Sequence, residues 1–168
     1  MYLKFLAVLT MFLTGVTALA FLSMTALVCL QVFYRYVLNS PLTGSEEAAR
    51  ALLIYIVMLG SAVAVGNRAH MAIRYFYEKF PRLLQKMAAF IYFASILFIA
   101  SLFIIKGNDL AQRTMMQTTP ALQIPKGLII YAFPIGGVLM FLYALAPMLQ
   151  LLFVSKDAPP SVVQDPLQ

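Results

Sequence analysis

The chain has no tryptophan, one cysteine and one histidine in 168 residues. The single cysteine, Cys29, excludes an intrachain disulfide. Set inside an apolar run, it reads as a small buried apolar residue. The single histidine, His70, excludes bis-histidine haem ligation and any multi-histidine metal cluster within the chain. Charge is scarce too. Charged residues make up 11% of the chain, against about 25% in a typical soluble domain. No Asp, Glu, Lys, Arg or His falls within Phe5–Tyr34, Ala51–Asn67, Met87–Ile105 or Gly127–Ser155. Proton relays and ion-coupled sites place ionisable side chains inside a helical bundle. Autonomous transporters often show matched broken helices in two related halves. Here the last apolar run has prolines without a counterpart elsewhere, and the chain shows no internal repeat. It is therefore not expected to form a translocation path by itself.

What is abundant is apolar surface. Hydrophobic residues make up 62% of the chain, and the mean hydropathy is +0.88. Such a composition has too little polar area to cover a soluble core. The fold class expected is an all-α integral membrane protein, with four transmembrane helices plus a short amphipathic interfacial helix. A span needs about 20 residues. Spans are expected at about 5–37, 46–67, 83–107 and 126–154, with a disordered, proline-rich cytoplasmic tail at 156–168. Lys4 followed by an apolar stretch and Ala18-Leu19-Ala20 imitates a signal peptide. The apolar run continues to Leu30, so an uncleaved first span is expected.

The interfacial helix is expected at about 70–80. Ile73, Phe76, Tyr77 and Phe80 recur at helical spacing, and His70, Arg74, Glu78 and Arg82 form the opposite face. His70 reads as a polar-face or headgroup residue. Between the last two spans, Pro120 and Pro125 are expected to make a stiff, extended lead-in.

The net charge is +6. Because the basic residues sit between apolar runs, they point to membrane lipids and orientation, not to nucleic acid. With four spans, seven Lys/Arg fall on one side and five on the other. The dense 68–86 cluster assigns the richer side, with both termini, to the cytoplasm. The location expected is a bacterial inner membrane, multi-pass.

The segment Gln31–Arg50, QVFYRYVLNSPLTGSEEAAR, concentrates the chemistry. Asn39-Ser40-Pro41 ends the first helix. Ser45 is expected to cap the second, with Glu46 and Glu47 at the positive end of its dipole. Arg35 either snorkels beyond the hydrocarbon or pairs with Glu46 or Glu47 across the hairpin. The pairing is expected, because both ends lie on one side. The acids could instead pair locally with Arg50. As sequence neighbours, Glu46 and Glu47 project in different directions, which disfavours a catalytic carboxylate pair. In the second span, Gly60 with Ala64 and Ala62 with Gly66 have the small-xxx-small spacing of close helix packing.

Three stretches, QVFYRYVLNSPLTGSEEAAR at 31–50, LGSAVAVGNRAHMAIRYF at 59–76 and TPALQIPKGLIIYAFPIGGVLM at 119–140, resemble the small membrane subunit of a TRAP (tripartite ATP-independent periplasmic) transporter. The resemblance covers nearly all of the chain except the tail. Two features depart from it. The family often has a tryptophan just before the paired glutamates, where Thr43-Gly44-Ser45 stands. It also often has an acid a few residues after the histidine, where Arg74-Tyr75 stands. The resemblance implies a non-enzymatic subunit working with two partners, a large TRAP membrane subunit and a periplasmic solute-binding protein that captures a carboxylate-bearing solute. It also implies that sodium is handled by the large subunit, and that this chain holds no cofactor or metal of its own. Two other classes compete with it: a small autonomous oligomeric transporter, and the membrane anchor of an enzyme complex.

Overall fold

A computed structural model describes residues 2–40, 42–67 and 82–153. The expected interfacial helix at 70–80, with His70, lies outside the described residues, as does the tail. Five helices are described: α1 (Tyr2–Tyr36), α2 (Ser45–Gly66), α3 (Arg82–Arg113), α4 (Lys126–Ile130) and α5 (Ala132–Phe153). Four segments are long and apolar enough to cross a membrane, namely Leu6–Tyr36, Ser45–Gly66, Met87–Arg113 and Lys126–Leu149.

The last of these contains the break between α4 and α5. Proline has no amide hydrogen, so Pro134 cannot donate to the carbonyl of Ile130. The helix is interrupted at Tyr131, although Tyr131 N still donates to Gly127 O (3.0 Å) and Ile135 N to Tyr131 O (3.2 Å).

The spans lie side by side in the order α1, α2, α5, α3. α1 packs on α2, α2 on α5, and α5 on α3, while α1 and α3 form the two edges. The last helix in the sequence is therefore an inner one. Neighbour pairs fix the directions. Gly60 of α2 faces Thr17 of α1, and Gln31 faces Glu46, so α1 and α2 are antiparallel. Gly136 faces Met58, and Gly66 faces Tyr143, so α2 and α5 run parallel. Gly107 lies against Phe133 and Pro134, and Gly137 against Ala100, so α3 is antiparallel to α5. The described ends of the first and last spans therefore fall on one side.

Small residues set the inner seams. A methyl group on Gly136 would lie 2.9 Å from Met58 Cβ and 3.2 Å from its carbonyl oxygen. One on Gly137 would lie 3.0 Å from the Ala100 carbonyl. Ala62, Ala100, Ala111 and Ala144 are fully buried. Of the four small residues expected to pack, Ala62 is buried and Gly66 meets the Tyr143 ring in the α2–α5 seam. Gly60 looks instead toward α1, and Ala64 is exposed.

On α1, the side chains withdrawn from solvent include Leu6, Thr10, Leu13, Thr17, Ala20, Met24, Leu27, Gln31 and Tyr34. Their spacing of three and four is a narrow coiled-coil stripe. Apart from Leu9 beside the stripe, the rest of this helix from Leu6 onward is open. That includes Cys29, which is exposed and not buried as expected. A cysteine in an apolar run need not be buried when the solvent is lipid. The α1 hydroxyls of Thr10, Thr14, Thr17, Ser23 and Thr25 each donate to the carbonyl four residues back (2.8–2.9 Å). That pairing satisfies them within the helix, and Thr10 additionally meets the Tyr143 hydroxyl of α5 (2.9 Å).

Candidate functional site: a latched polar end

The polar side chains gather where α1 meets α2 and where the 114–125 loop leads into α4. α1 ends through Val37 N to Phe33 O (2.9 Å) and Ser40 N to Tyr34 O (3.2 Å), with Asn39 in the left-handed region at φ 49°. Asn tolerates that conformation better than most residues. Gly44 follows at φ 90°. A side chain there would be strained by its backbone and would also strike Leu122, 2.8 Å from the added carbon.

Ser45 does not cap α2. Gly44 occupies the cap position without a side-chain bond, and Ser45, the first helical residue, turns its hydroxyl back to the Leu42 carbonyl (2.9 Å). Glycine takes the position because the chain enters the helix through positive φ.

The two glutamates diverge. Glu46 Oε1 accepts from Gln31 Nε2 (3.2 Å), which joins α2 to α1. Glu47 reaches a segment 74 residues away. Its Oε1 accepts from Ala121 N (3.1 Å), and its Oε2 accepts from Leu122 N (2.9 Å) and Ala121 N (3.2 Å). Charge-assisted bonds to backbone amides of this kind are the stronger sort.

The expected Arg35 pairing is not formed. Among the described residues the ion pair present is Arg113–Asp109, and Arg35 lies over the Tyr36 ring at 5.9 Å. Glu47 is engaged by the loop amides and one Glu46 oxygen by Gln31, while Arg35 stays at the surface, exposed. Arg50, one turn along α2 from Glu46, is also exposed.

The proline-flanked loop is compact rather than extended. Thr119 is its hub and is buried. Its amide donates to Ile124 O (2.9 Å), its carbonyl accepts from Gln123 N (3.1 Å), and its hydroxyl oxygen accepts from Ile124 N (3.2 Å). Lys126 N closes the turn onto Gln117 O (2.7 Å), and Gln123 sits at φ 57°. Pro120 and Pro125 bracket this turn. Because it is closed, the amides of Ala121 and Leu122 point together at Glu47.

A third attachment lies deeper. Tyr55, two turns below Glu47 on the same face, donates its hydroxyl to Leu128 O (2.7 Å) in α4. Glu47 and Tyr55 thus hold the loop and the start of the last span against α2. Sequence reading missed Tyr55, Thr119 and the Gln31–Glu46 contact. Gln31 carried a visible signal, as an amide side chain at the end of a long apolar run.

Together the fold and this end define a class: a multi-pass, all-helical membrane protein whose loop-to-helix polar contacts, among the described residues, gather at one end of the helical layer. The family described as tripartite ATP-independent periplasmic transporters, DctQ component, matches residues 24–154, and the chain belongs to it. It is a transporter component and not an enzyme. It is 30% identical over 118 residues to the sialic acid TRAP transporter small permease protein SiaQ of Vibrio cholerae, covering 70% of this chain and 68% of that protein. A TRAP transporter small permease protein of Haemophilus influenzae is 31% identical over 118 residues, covering 70% and 73%. Over 66 residues the chain is also 35% identical to the sialic acid TRAP transporter permease protein SiaT of Haemophilus influenzae, covering 39% of this chain and 11% of that protein.

Proposed function

We propose that this chain is the small, non-transporting subunit of a sodium-coupled, binding-protein-dependent secondary transporter for a carboxylate-bearing solute. It braces a large transport subunit, and its latched end helps receive a solute-binding protein. The observation that carries the reading is the single row of spans. Among the described residues the row has no second layer to enclose a path, and the stretches 5–34, 51–67, 87–105 and 127–155 hold no Asp, Glu, Lys, Arg or His. A brace needs rigid seams and a broad apolar face, and the buried alanines and exposed α1 supply both. The carboxylate solute and the large partner are supported by the sialic acid transporters among the relatives. The basic 68–86 segment supports placing both termini in the cytoplasm of a bacterial inner membrane, with the latched end in the periplasm.

The test is reconstitution under an inward sodium gradient of this chain alone, of the chain with its large partner, and of both with the binding protein. Uptake is expected in the complete system and in neither smaller one. Accumulation by this chain alone would favour an autonomous transporter. Orientation is tested with Cys29→Ser as background and single cysteines at Arg74 and Gln117. An impermeant thiol reagent on intact cells should label position 117 and spare 74.

A further inference from the structure

Beside the Glu47 latch lie two adjoining clefts. The outer one, about 380 Å³, is lined by Glu46, Arg50, Pro120 and Lys126. The inner one, about 290 Å³, is lined by apolar groups, among them Ala51, Tyr55 and Leu128. Glu47, Thr119 and Ile129 border both, so the two clefts adjoin there. They open because α2 packs closely on α5 but only sparsely on α4, so the seam parts toward the latched end. Arg50 and Lys126 are exposed, and neither forms an ion pair within 4 Å among the described residues.

Together the two clefts make a groove that changes character along its length. Its mouth, at the end of the spans, holds two cations and two carboxylates, of which Glu47 is taken by the loop amides. Its floor descends beside the apolar part of α2. Arginine and lysine together suit a phosphate group, the arginine by forked hydrogen bonds and the lysine as a point charge. Glu46 has one oxygen engaged by Gln31 and accepts from no described donor at the other. That leaves a carboxylate for a primary ammonium next to the phosphate. A soluble phosphate would leave both the carboxylate and the apolar floor unused. We propose that this groove binds one phospholipid with a phosphoethanolamine headgroup, its phosphate at Arg50 and Lys126, its ammonium at Glu46 and an acyl chain along Ala51 and Leu128. The lipid would fill the gap beneath the Glu47 latch. The inference does not depend on the chain being a brace, because its readout is lipid retention and not transport.

The test is native mass spectrometry of the complex of this chain with its large subunit, after mild delipidation. Phosphatidylethanolamine, phosphatidylcholine, phosphatidylglycerol of matched chains, and inorganic phosphate are then added back. One retained phosphatidylethanolamine per groove is expected. Retention should fall by about tenfold or more in Arg50→Gln/Lys126→Gln, from the loss of charge-assisted bonds. Ala51→Phe, which fills the floor and leaves the mouth intact, should also weaken it, and Arg113→Gln should not. Size-exclusion profiles confirm that each variant complex is assembled, and the single exposed change Lys126→Gln serves where the double variant is not. The proposal is overturned by undiminished retention in the cation variants, by equal displacement with inorganic phosphate, or by a side chain of the large subunit occupying the groove.

Discussion

The α2–α5 seam and the α1 edge are built from similar residues and behave differently. Between α2 and α5 the backbones approach so closely that a single methyl at Gly136 would collide with Met58. On α1, Gly15 has nothing within 4 Å of an added carbon, and Leu13 is the one buried residue among those described. Val8, Met11, Phe12, Leu19 and Leu22 are all more than half exposed. In a bilayer this contrast has no hydrophobic cost, since lipid is as apolar as leucine. Close packing, not hydropathy, separates the inner helices from the edge.

The largest break in this contrast should come from paired glycine substitutions. Gly136→Leu overpacks a seam with backbone on the far side. It should lower stability by about 1–3 kcal/mol or more, read as a fall in the melting temperature of the purified complex. Gly15→Leu adds the same side chain to open space and should stay within about 0.5 kcal/mol. Equal effects at the two positions would erase the distinction.

The latch comes next. Glu47→Ala removes the acceptor for Ala121 and Leu122, and their amides should exchange with deuterium faster while those of α3 are unchanged. Glu47→Gln keeps one carbonyl oxygen and should fall between. If the loop holds its protection in Glu47→Ala, Thr119 alone maintains the turn.

A smaller effect is expected where α1 leans across to α5. The Thr10 and Tyr143 hydroxyls are hydrogen bonded at 2.9 Å. Tyr143→Phe keeps the ring beside Gly66 and should cost about 0.6 kcal/mol, the usual size of such bonds in membranes. A double-mutant cycle with Thr10→Val isolates this bond from the separate Thr10–Leu6 bond, and the coupling should equal the cost of Tyr143→Phe alone. The smallest effect is expected from Asp109→Asn. Its pair with Arg113 is exposed on both sides, and exposed pairs contribute little, so the melting temperature should not move measurably.

The spans were legible because a charge-free run of span length has few alternatives. Their order in the row was not. In a chain this apolar, helix faces differ little in hydropathy, and the stripe on α1 shows only once its neighbour is present. The end of α3 was also misjudged. Lys106 was expected to close the third span at about 107, yet the helix runs on to Arg113. Charge marks the limit of the hydrocarbon, not of the helix, and Asp109–Arg113 at i,i+4 suits a helix leaving the membrane. At the polar end, the importance of the glutamates was readable from their place at a helix start. Their partners were not, since Glu47 is held by backbone amides 74 residues away and amides carry no side-chain signature. At Glu47 the expected Arg35 pairing failed for the same reason, since both of its oxygens are taken by the loop amides.

The order α1, α2, α5, α3 also has a consequence for how the chain is made. Synthesis delivers α2 and α3 to the bilayer before α5, and in the finished layer neither is the other's chief neighbour. The place between them belongs to the helix that emerges last. Until then Ala62 on α2 and Ala100 on α3 face lipid or a transient occupant. The polar end must wait as well, because the loop amides that fill Glu47 are translated long after the glutamate. The row is therefore completed from its middle, by a wedge that arrives at the end.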